Sequence, residues 1–198
     1  MSGLVDDRSP VSEIVIRPLT QADIERLPEM ELNFQAEAYL AVEKVVEGLN
    51  VTWRLVERPL DPPFISVDYN IDEQDQTEIA QRLKENDGLY LVAEHQGRLV
   101  ALLDLEREAW RDTGMIWNIV VDRAYRRQGL GTRLIQRAIT WGRRRRLRAL
   151  ALETQTNNLP ACRFYQKMGF QLCGLDDHFY SNHDIERKEV ALFWYHEL

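Results

Sequence analysis

An apolar run, a basic turn with glycines and an amphipathic segment follow one another between Met115 and Gly131. The apolar run ends at Asp122, and the turn reads Arg126-Arg127-Gln128-Gly129-Leu130-Gly131 before the amphipathic segment begins at Thr132. A strand, a glycine turn and a helix in this order can bind an anion, because glycines admit a ligand close to the backbone and the helix N-terminus offers unpaired N–H groups. The stretch predicts a pyrophosphate site. The turn alone fits an ordinary strand-to-helix connection equally well.

The charge distribution supports an anionic ligand at this turn. Between Asp122 and Arg148 there are ten arginines and one aspartate, a net charge of +9. Because the whole chain has a formal net charge of −7, the rest carries −16. The segment 122–148 therefore attracts anions, whereas the rest of the protein attracts cations. Nucleic acid is disfavoured as a partner, because the acidic remainder would oppose it.

Length and composition indicate one soluble domain. The 198 residues predict a single domain spanning 1–198, with residues 1–13 as a flexible N-terminal tail. No signal peptide or apolar run long enough to span a bilayer is evident, which predicts a cytoplasmic protein with no membrane partner. Cys162 and Cys173 are then expected to be reduced thiols. They and the four scattered histidines suggest no metal site.

The elements before the basic turn are predicted from alternation and turn residues. A short strand is expected at 14–17 and a helix from Thr20 that Pro28 interrupts. A hairpin is favoured for 38–46 and 51–56. Leu60-Asp61-Pro62-Pro63 is expected to break regular structure, and 68–75 to be an acidic loop. A short helix over 73–84 is followed by two strands, 89–94 and 99–105, joined at Gln96-Gly97.

The elements after position 115 predict how the sheet is built. The strand 115–121 leads into a helix ending near Arg144, with its apolar residues on one face. A buried strand, 149–152, ends in a polar run at 153–158, and a second helix covers 160–168. Strands at 170–173 and 189–195 close the chain. The order predicts an α/β (α+β) fold with a central mixed, mostly antiparallel sheet and helices on both faces. Two parallel strands, ending at Val121 and Glu153, should diverge at the anion site.

Two motifs resemble those of the GNAT N-acetyltransferase superfamily. They are Arg126-x-x-Gly129-x-Gly131 and, one strand later, Asn158-x-x-Ala161-x-x-x-Tyr165-x-x-x-Gly169-Phe170. Within that superfamily, Glu153-Thr154-Gln155-Thr156-Asn157-Asn158-x-Pro160-Ala161-Cys162 and Gly174-x-Asp176-x-x-x-Tyr180 resemble streptothricin (nourseothricin) acetyltransferases. The resemblance implies an acetyl-CoA-dependent enzyme that acetylates a primary amine. For the narrower family, the acceptor is a β-lysine amino group of the antibiotic.

The resemblance also implies the residues that bind acetyl-CoA. The strand that pairs with pantetheine corresponds to Ile119, Val120 and Val121, and the pyrophosphate loop corresponds to Arg126, Arg127, Gln128, Gly129, Leu130, Gly131 and Thr132. The second motif adds Asn158, Ala161 and Tyr165.

Acetyl transfer to an amine needs a neutral amine, a polarised carbonyl and a proton for the departing thiolate. Tyr165 is the candidate acid, although it could also be a core residue. Related enzymes often carry an acidic residue where this chain has Trp117-Asn118. The base is therefore sought at Glu153, which is slightly preferred, at Asp104 or at Glu106. Glu153 could instead form a salt bridge, and Asp104 could be an edge-strand charge.

A small cationic amine is the expected substrate. Glu153 is a candidate substrate-binding residue. Further candidates for lining the acceptor pocket are Trp110, Asp176, Asp177 and Tyr180, and ordinary loop packing or solvated charge explains each of these four equally well. A different amine acceptor, such as a polyamine, an amino acid or a protein N-terminus, remains open, as does a non-catalytic acyl-CoA-binding module. Exposed strand edges also leave a homodimer open.

Overall fold

The computed structural model describes residues 14–67 and 69–198. The predicted tail and Asp68 lie outside the described residues. The described strands are β1 Val15–Pro18, β2 Gln35–Glu47, β3 Asn50–Ile65, β4 Gly88–His95, β5 Arg98–Glu108, β6 Thr113–Val121, β7 Ala149–Gln155, β8 Gln171–Asp176 and β9 Ala191–Glu197. The α-helices are α1 Glu73–Glu85, α2 Leu130–Arg144, α3 Leu159–Lys167 and α4 Asp184–Arg187.

Seven strands form one mixed sheet in the order β1-β4-β5-β6-β7-β9-β8. The pair β6–β7 is parallel and the other pairs are antiparallel. Pairing between β6 and β7 starts at Thr113 with Ala149 and ends at Ile116 with Leu152. Both strands continue beyond that point, so a gap opens between their carboxyl ends. The predicted mixed sheet with two diverging parallel strands is confirmed.

Helices cover both faces of the sheet, each through an apolar stripe. On one face α2 buries Leu130, Leu134, Ile135 and Ala138, at the spacing that the sequence predicts. Full burial of a leucine or isoleucine side chain contributes about 1.5–3 kcal/mol. On the other face a 3-10 helix, Gln21–Glu29, and α1 form a second apolar cluster around Leu27 and Ile79. The sheet is thereby held rigid between two cores.

The predicted hairpin is present as a separate two-stranded sheet, β2–β3. It is longer than expected, because β3 continues through Leu60-Asp61-Pro62-Pro63, where a break was predicted. Within the described residues, β3 has a sheet neighbour on one side only, so prolines that cannot donate a hydrogen bond are tolerated there. Pairing stops at Pro59 and resumes at Phe64, so the four intervening residues of β3 lie opposite the single residue between Ala36 and Ala38 of β2.

Two further differences concern short helices. The segment that begins at Thr20 is a 3-10 helix containing Pro28, with Asp23 closing a reciprocal capping box. The polar loop after β8 contains a one-turn helix, α4, too short to produce a periodic pattern. In the described residues, none of the helices has the length and apolar character needed to cross a bilayer.

Candidate active site

A cleft of about 830 Å³ opens where β6 and β7 diverge. It runs from the basic turn, past the strand ends, to residues near Phe34 and Tyr69. Most of the residues expected to bind acetyl-CoA line it. They are Ile119, Val120, Val121, Arg126, Arg127, Gly129, Leu130, Gly131, Thr132, Asn158, Ala161 and Tyr165. Gln128 is the exception, because its side chain donates to the carbonyl oxygen of Ala124 and is not part of the cleft wall.

The turn before α2 is shaped for an anion. Gly129 caps the helix with φ of +81°, and a Cβ built on it would have no atom within 4 Å. A Cβ on Gly131 would lie 3.2 Å from the Phe164 ring. Open space at Gly129 and the unpaired N–H groups of the first turn of α2 let a phosphate approach the backbone. The residues present therefore fit the pyrophosphate of acetyl-CoA.

Arg126 has a structural task that the sequence did not reveal. Its guanidinium donates to three carbonyl oxygens, those of Val121 at 3.0 Å, Asn33 at 2.8 Å and Leu32 at 2.6 Å. Burial lowers its pKa. Arg126 thus holds the segment before β2 against the end of β6. Arg127 is the exposed arginine of the turn and leaves its charge available to a ligand.

Asn158 and Tyr165 both line the cleft, and each also stabilises the fold around it. Asn158 caps α3, and its side-chain oxygen accepts from the Ala161 N–H at 3.3 Å. Tyr165 is 8% exposed and packs against Phe164, Phe170 and Trp194, with ring centroids 5.5–6.3 Å away. Burial raises its pKa, so the phenol stays protonated. A neutral phenol beside a developing thiolate is able to donate a proton.

Glu153 brings a carboxylate into the cleft at the end of β7. Burial raises its pKa, and the charge of Glu189 raises it further, whereas a hydrogen bond from Tyr180 acts in the opposite direction. The Tyr180 hydroxyl donates to Oε1 of Glu153 at 2.5 Å. Tyr180 does not itself line the cleft wall formed by the described residues and acts there through Glu153. A carboxylate with a raised pKa is suited to accept a proton near neutral pH.

Three further predicted residues lie outside the cleft wall that the described residues form. Trp110 is 82% exposed and stacks against Arg111. Asp176 is exposed and accepts from the His178 N–H. Asp104 is 0% exposed and is paired with the Arg82 guanidinium at 2.7 Å. Its carboxylate is occupied by Arg82 and Asn118 and is buried behind the cleft wall, which argues against Asp104 as the base.

Asp177, next to Asp176, ties the hairpin to the loop after β8. It accepts from Trp53 Nε1 at 3.2 Å and pairs with Lys44 Nζ at 2.6 Å. Burial alone would raise its pKa, but these hydrogen bonds and one from His178 outweigh burial and lower the pKa to about 2. The ligand atoms of Asp176, Asp177 and His178 lie within 4.8 Å of one another. The Asp177 carboxylate is bound to Lys44 and Trp53, so its role in this structure is to hold the hairpin against the loop.

Aromatic residues that the sequence did not single out complete the cleft. Phe34 and Tyr69 meet edge to face, with ring centroids 5.9 Å apart, and both line the cleft. Burial raises the pKa of the Tyr69 hydroxyl although 41% of the residue is exposed. Trp117 and Asn118 line the wall from β6. The missing carboxylate at 117–118 was visible in the sequence, but no local pattern links Phe34 and Tyr69 to the site.

Comparison with known proteins decides the family. The model of the acetyltransferase (GNAT) family matches residues 52–170, more than half of the chain. The protein belongs to the GNAT acetyltransferase family. It is therefore an acyltransferase, with acetyl-CoA as its co-substrate. The mixed sheet with one parallel pair is the fold of its GNAT structural neighbours.

Several similar proteins have streptothricin-related names. Streptothricin acetyltransferase A of Bacillus subtilis (strain 168) is 32% identical over 168 residues, covering 84% of this GNAT chain and 93% of the relative. Streptothricin acetyltransferase of Streptomyces lavendulae is 27% identical, covering 83% and 85%.

Two crystal structures are also similar. The structure of a nourseothricin acetyltransferase is 26% identical with a TM-score of 0.74, covering 93% of this chain and 98% of that one. A Bacillus anthracis str. Ames protein, proposed to be a streptothricin acetyltransferase, was solved with acetyl coenzyme A. It is 25% identical with a TM-score of 0.72, covering 95% and 99%.

Proposed function

We propose that this GNAT enzyme acetylates a primary amino group of streptothricin-type antibiotics, on their β-lysine moiety, and thereby confers resistance to them. The observation that carries the proposal is the half-buried Glu153 carboxylate, which the Tyr180 hydroxyl fixes at the point where β6 and β7 diverge. Relatives named streptothricin acetyltransferase, similar over more than four-fifths of this chain, support the choice of antibiotic.

The acceptor end of the cleft suits a cation. Phe34, Tyr69 and Trp117 offer aromatic faces, and an ammonium group is attracted to such faces. Glu153 adds a negative charge in the same cleft, and the protein outside 122–148 has a net charge of −16, which follows from −7 overall and +9 in that segment. A β-lysine moiety with its amino groups therefore matches this end by charge and by apolar surface.

The roles in transfer follow from these positions. Glu153 takes the proton that the amine must lose, and the amine nitrogen then attacks the thioester carbonyl. A backbone N–H near Val120 or Val121, where β6 has left β7, polarises that carbonyl. The C–N bond forms, the C–S bond breaks, and Tyr165 gives its proton to the departing thiolate. The nitrogen, which carries one proton in excess after its attack, then loses that proton to the Tyr165 oxygen, which restores the phenol. The walls of the cleft hold both reactants, which makes the reaction effectively intramolecular.

Thiol release tests the proposed substrate. Purified protein is incubated with acetyl-CoA and streptothricin, and free thiol is followed with a chromogenic disulfide. Release with streptothricin, together with an acetyl group on its β-lysine moiety by mass spectrometry, is the expected result. Release only with spermidine, lysine or a peptide with a free N-terminus would replace streptothricin by that amine. Acetyl-CoA binding without turnover of any amine would instead indicate a non-catalytic binding module.

A further inference from the structure

Three polar side chains, bound to one another in series, connect α1 to the cleft wall. Arg82 of α1 binds Asp104 of β5 through Nε at 3.2 Å and through NH2 at 2.7 Å. Asn118 of β6, directly across from Asp104 in the sheet, donates from Nδ2 to the same carboxylate at 3.0 Å. Asn118 lines the cleft, whereas Asp104 is 0% exposed behind it.

The buried ion pair determines which end of the Asn118 amide faces the cleft. A carboxylate accepts hydrogen bonds and repels another oxygen, so Asp104 holds the NH2 end toward β5. On the other side of β6 at this position, β7 has already diverged, since their pairing ends at Ile116. The amide oxygen is therefore directed away from β5, toward the gap. Among residues 14–67 and 69–198, no donor supplies a hydrogen bond to that oxygen.

Arg82 is itself held in place from two sides. Its guanidinium lies over the Trp117 ring, 5.3 Å from the centroid, and its side chain is 12% exposed. Trp117 lines the cleft beside Asn118. The ion pair and the stacked ring thus make the strand segment 117–118 rigid, and rigid placement is what a substrate-binding acceptor requires.

We propose that Oδ1 of Asn118 accepts a hydrogen bond from the acceptor amine, and that Asp104 and Arg82 are positioning residues that act through Asn118. A primary amine has two N–H donors and one lone pair. When one N–H is bound to Asn118, the lone pair can turn toward the thioester carbonyl. This assignment rests on the proposed function only in requiring an amine acceptor at this end of the cleft. Asp104 thereby serves the reaction without being its base.

Steady-state kinetics of four variants test the assignment. Asn118→Ala leaves the Arg82–Asp104 pair intact and is expected to raise KM for the amine about 3- to 10-fold, the worth of one hydrogen bond, with KM for acetyl-CoA unchanged. Asp104→Asn should raise the same KM. In the double variant the amine KM should equal that of Asn118→Ala, because Asp104 acts through Asn118. Asn50→Ala, at the exposed first residue of β3, is the matched control and should change neither constant.

Several results would overturn the assignment. An unchanged amine KM in Asn118→Ala would do so, and so would an equal rise in both KM values. Effects that multiply in the double variant would mean that Asp104 changes the amine KM independently of Asn118. If thermal unfolding shows that Asp104→Asn does not fold, the KM values of Asn118→Ala alone decide whether Asn118 binds the amine. Should the wild-type protein acetylate a different primary amine, the proposed substrate fails, and the same comparison made with that amine still decides the role of Asn118.

Discussion

Replacing Gly129 with alanine isolates the contribution of the basic turn to cofactor binding. Gly129 has φ of +81°, and an added Cβ would meet no protein atom within 4 Å. A non-glycine residue in the left-handed region costs about 1–2 kcal/mol. For a domain of this size, that cost lowers Tm by about 2–8 °C and leaves the fold intact. The added methyl group would occupy the space through which a phosphate approaches the backbone. Losing one charge-assisted hydrogen bond, about 1.5–3 kcal/mol, weakens binding about 10- to 150-fold.

Isothermal titration of acetyl-CoA, combined with thermal unfolding, separates these two effects. Gly97→Ala is a matched control, because Gly97 has φ of +78°, no atom within 4 Å of its added Cβ, and a position in the β4–β5 turn. Both variants should lose a similar amount of thermal stability, but only Gly129→Ala should lose affinity for acetyl-CoA. The same Kd in the two variants would refute the assignment of this turn to the cofactor.

Three further predictions concern Tyr165, the Tyr180–Glu153 pair and Asp177. Tyr165→Phe keeps the ring packing and should lower kcat about 100-fold at unchanged acetyl-CoA affinity, whereas unchanged kcat would remove Tyr165 from the mechanism. Tyr180→Phe removes the hydrogen bond that opposes the burial-driven rise in the pKa of Glu153, so the rising limb of the pH–rate profile should move to higher pH. A limb that does not move would argue against Glu153 as the base. Asp177→Asn should lower the unfolding free energy by about 1 kcal/mol by weakening the contact with Lys44, measured by denaturant unfolding. The folded pKa of Asp177, about 2, is below its ordinary 3.8, so this contribution is present above about pH 4 and is lost as pH falls toward 2. A mutant with the same acid sensitivity as the wild type would contradict that origin.

Local patterns in the sequence were sufficient for most of the sheet and for the glycine turn that lines one end of the cleft. The α2 stripe from Leu130 to Ala138 repeats at helical spacing, so it predicts both the helix and its buried face. Gly129 and Gly131 predict that a ligand can approach the backbone closely, because glycine has no side chain. The prediction of α2 succeeds because hydrogen bonding in a helix joins residues only a few positions apart.

Other parts of the cleft wall depend on contacts between residues far apart in sequence. Arg126 and Asn33 are 93 positions apart, and Tyr180 and Glu153 are 27 apart. No periodicity reports such pairs, and Trp110, which looked suitable by residue type, lies exposed elsewhere.

The sequence by itself determined that a glycine turn lies between a strand and a helix and that no carboxylate stands at 117–118. Only the tertiary structure decided which carboxylate faces the cleft. Asp104 and Glu153 are both acidic residues in apolar strands, and the packing of α1 against the sheet gives Arg82 to Asp104. Glu153 follows the point at which its strand leaves β6, so its charge remains open to the cleft. The difference in chemistry arises from which neighbours are folded against each carboxylate.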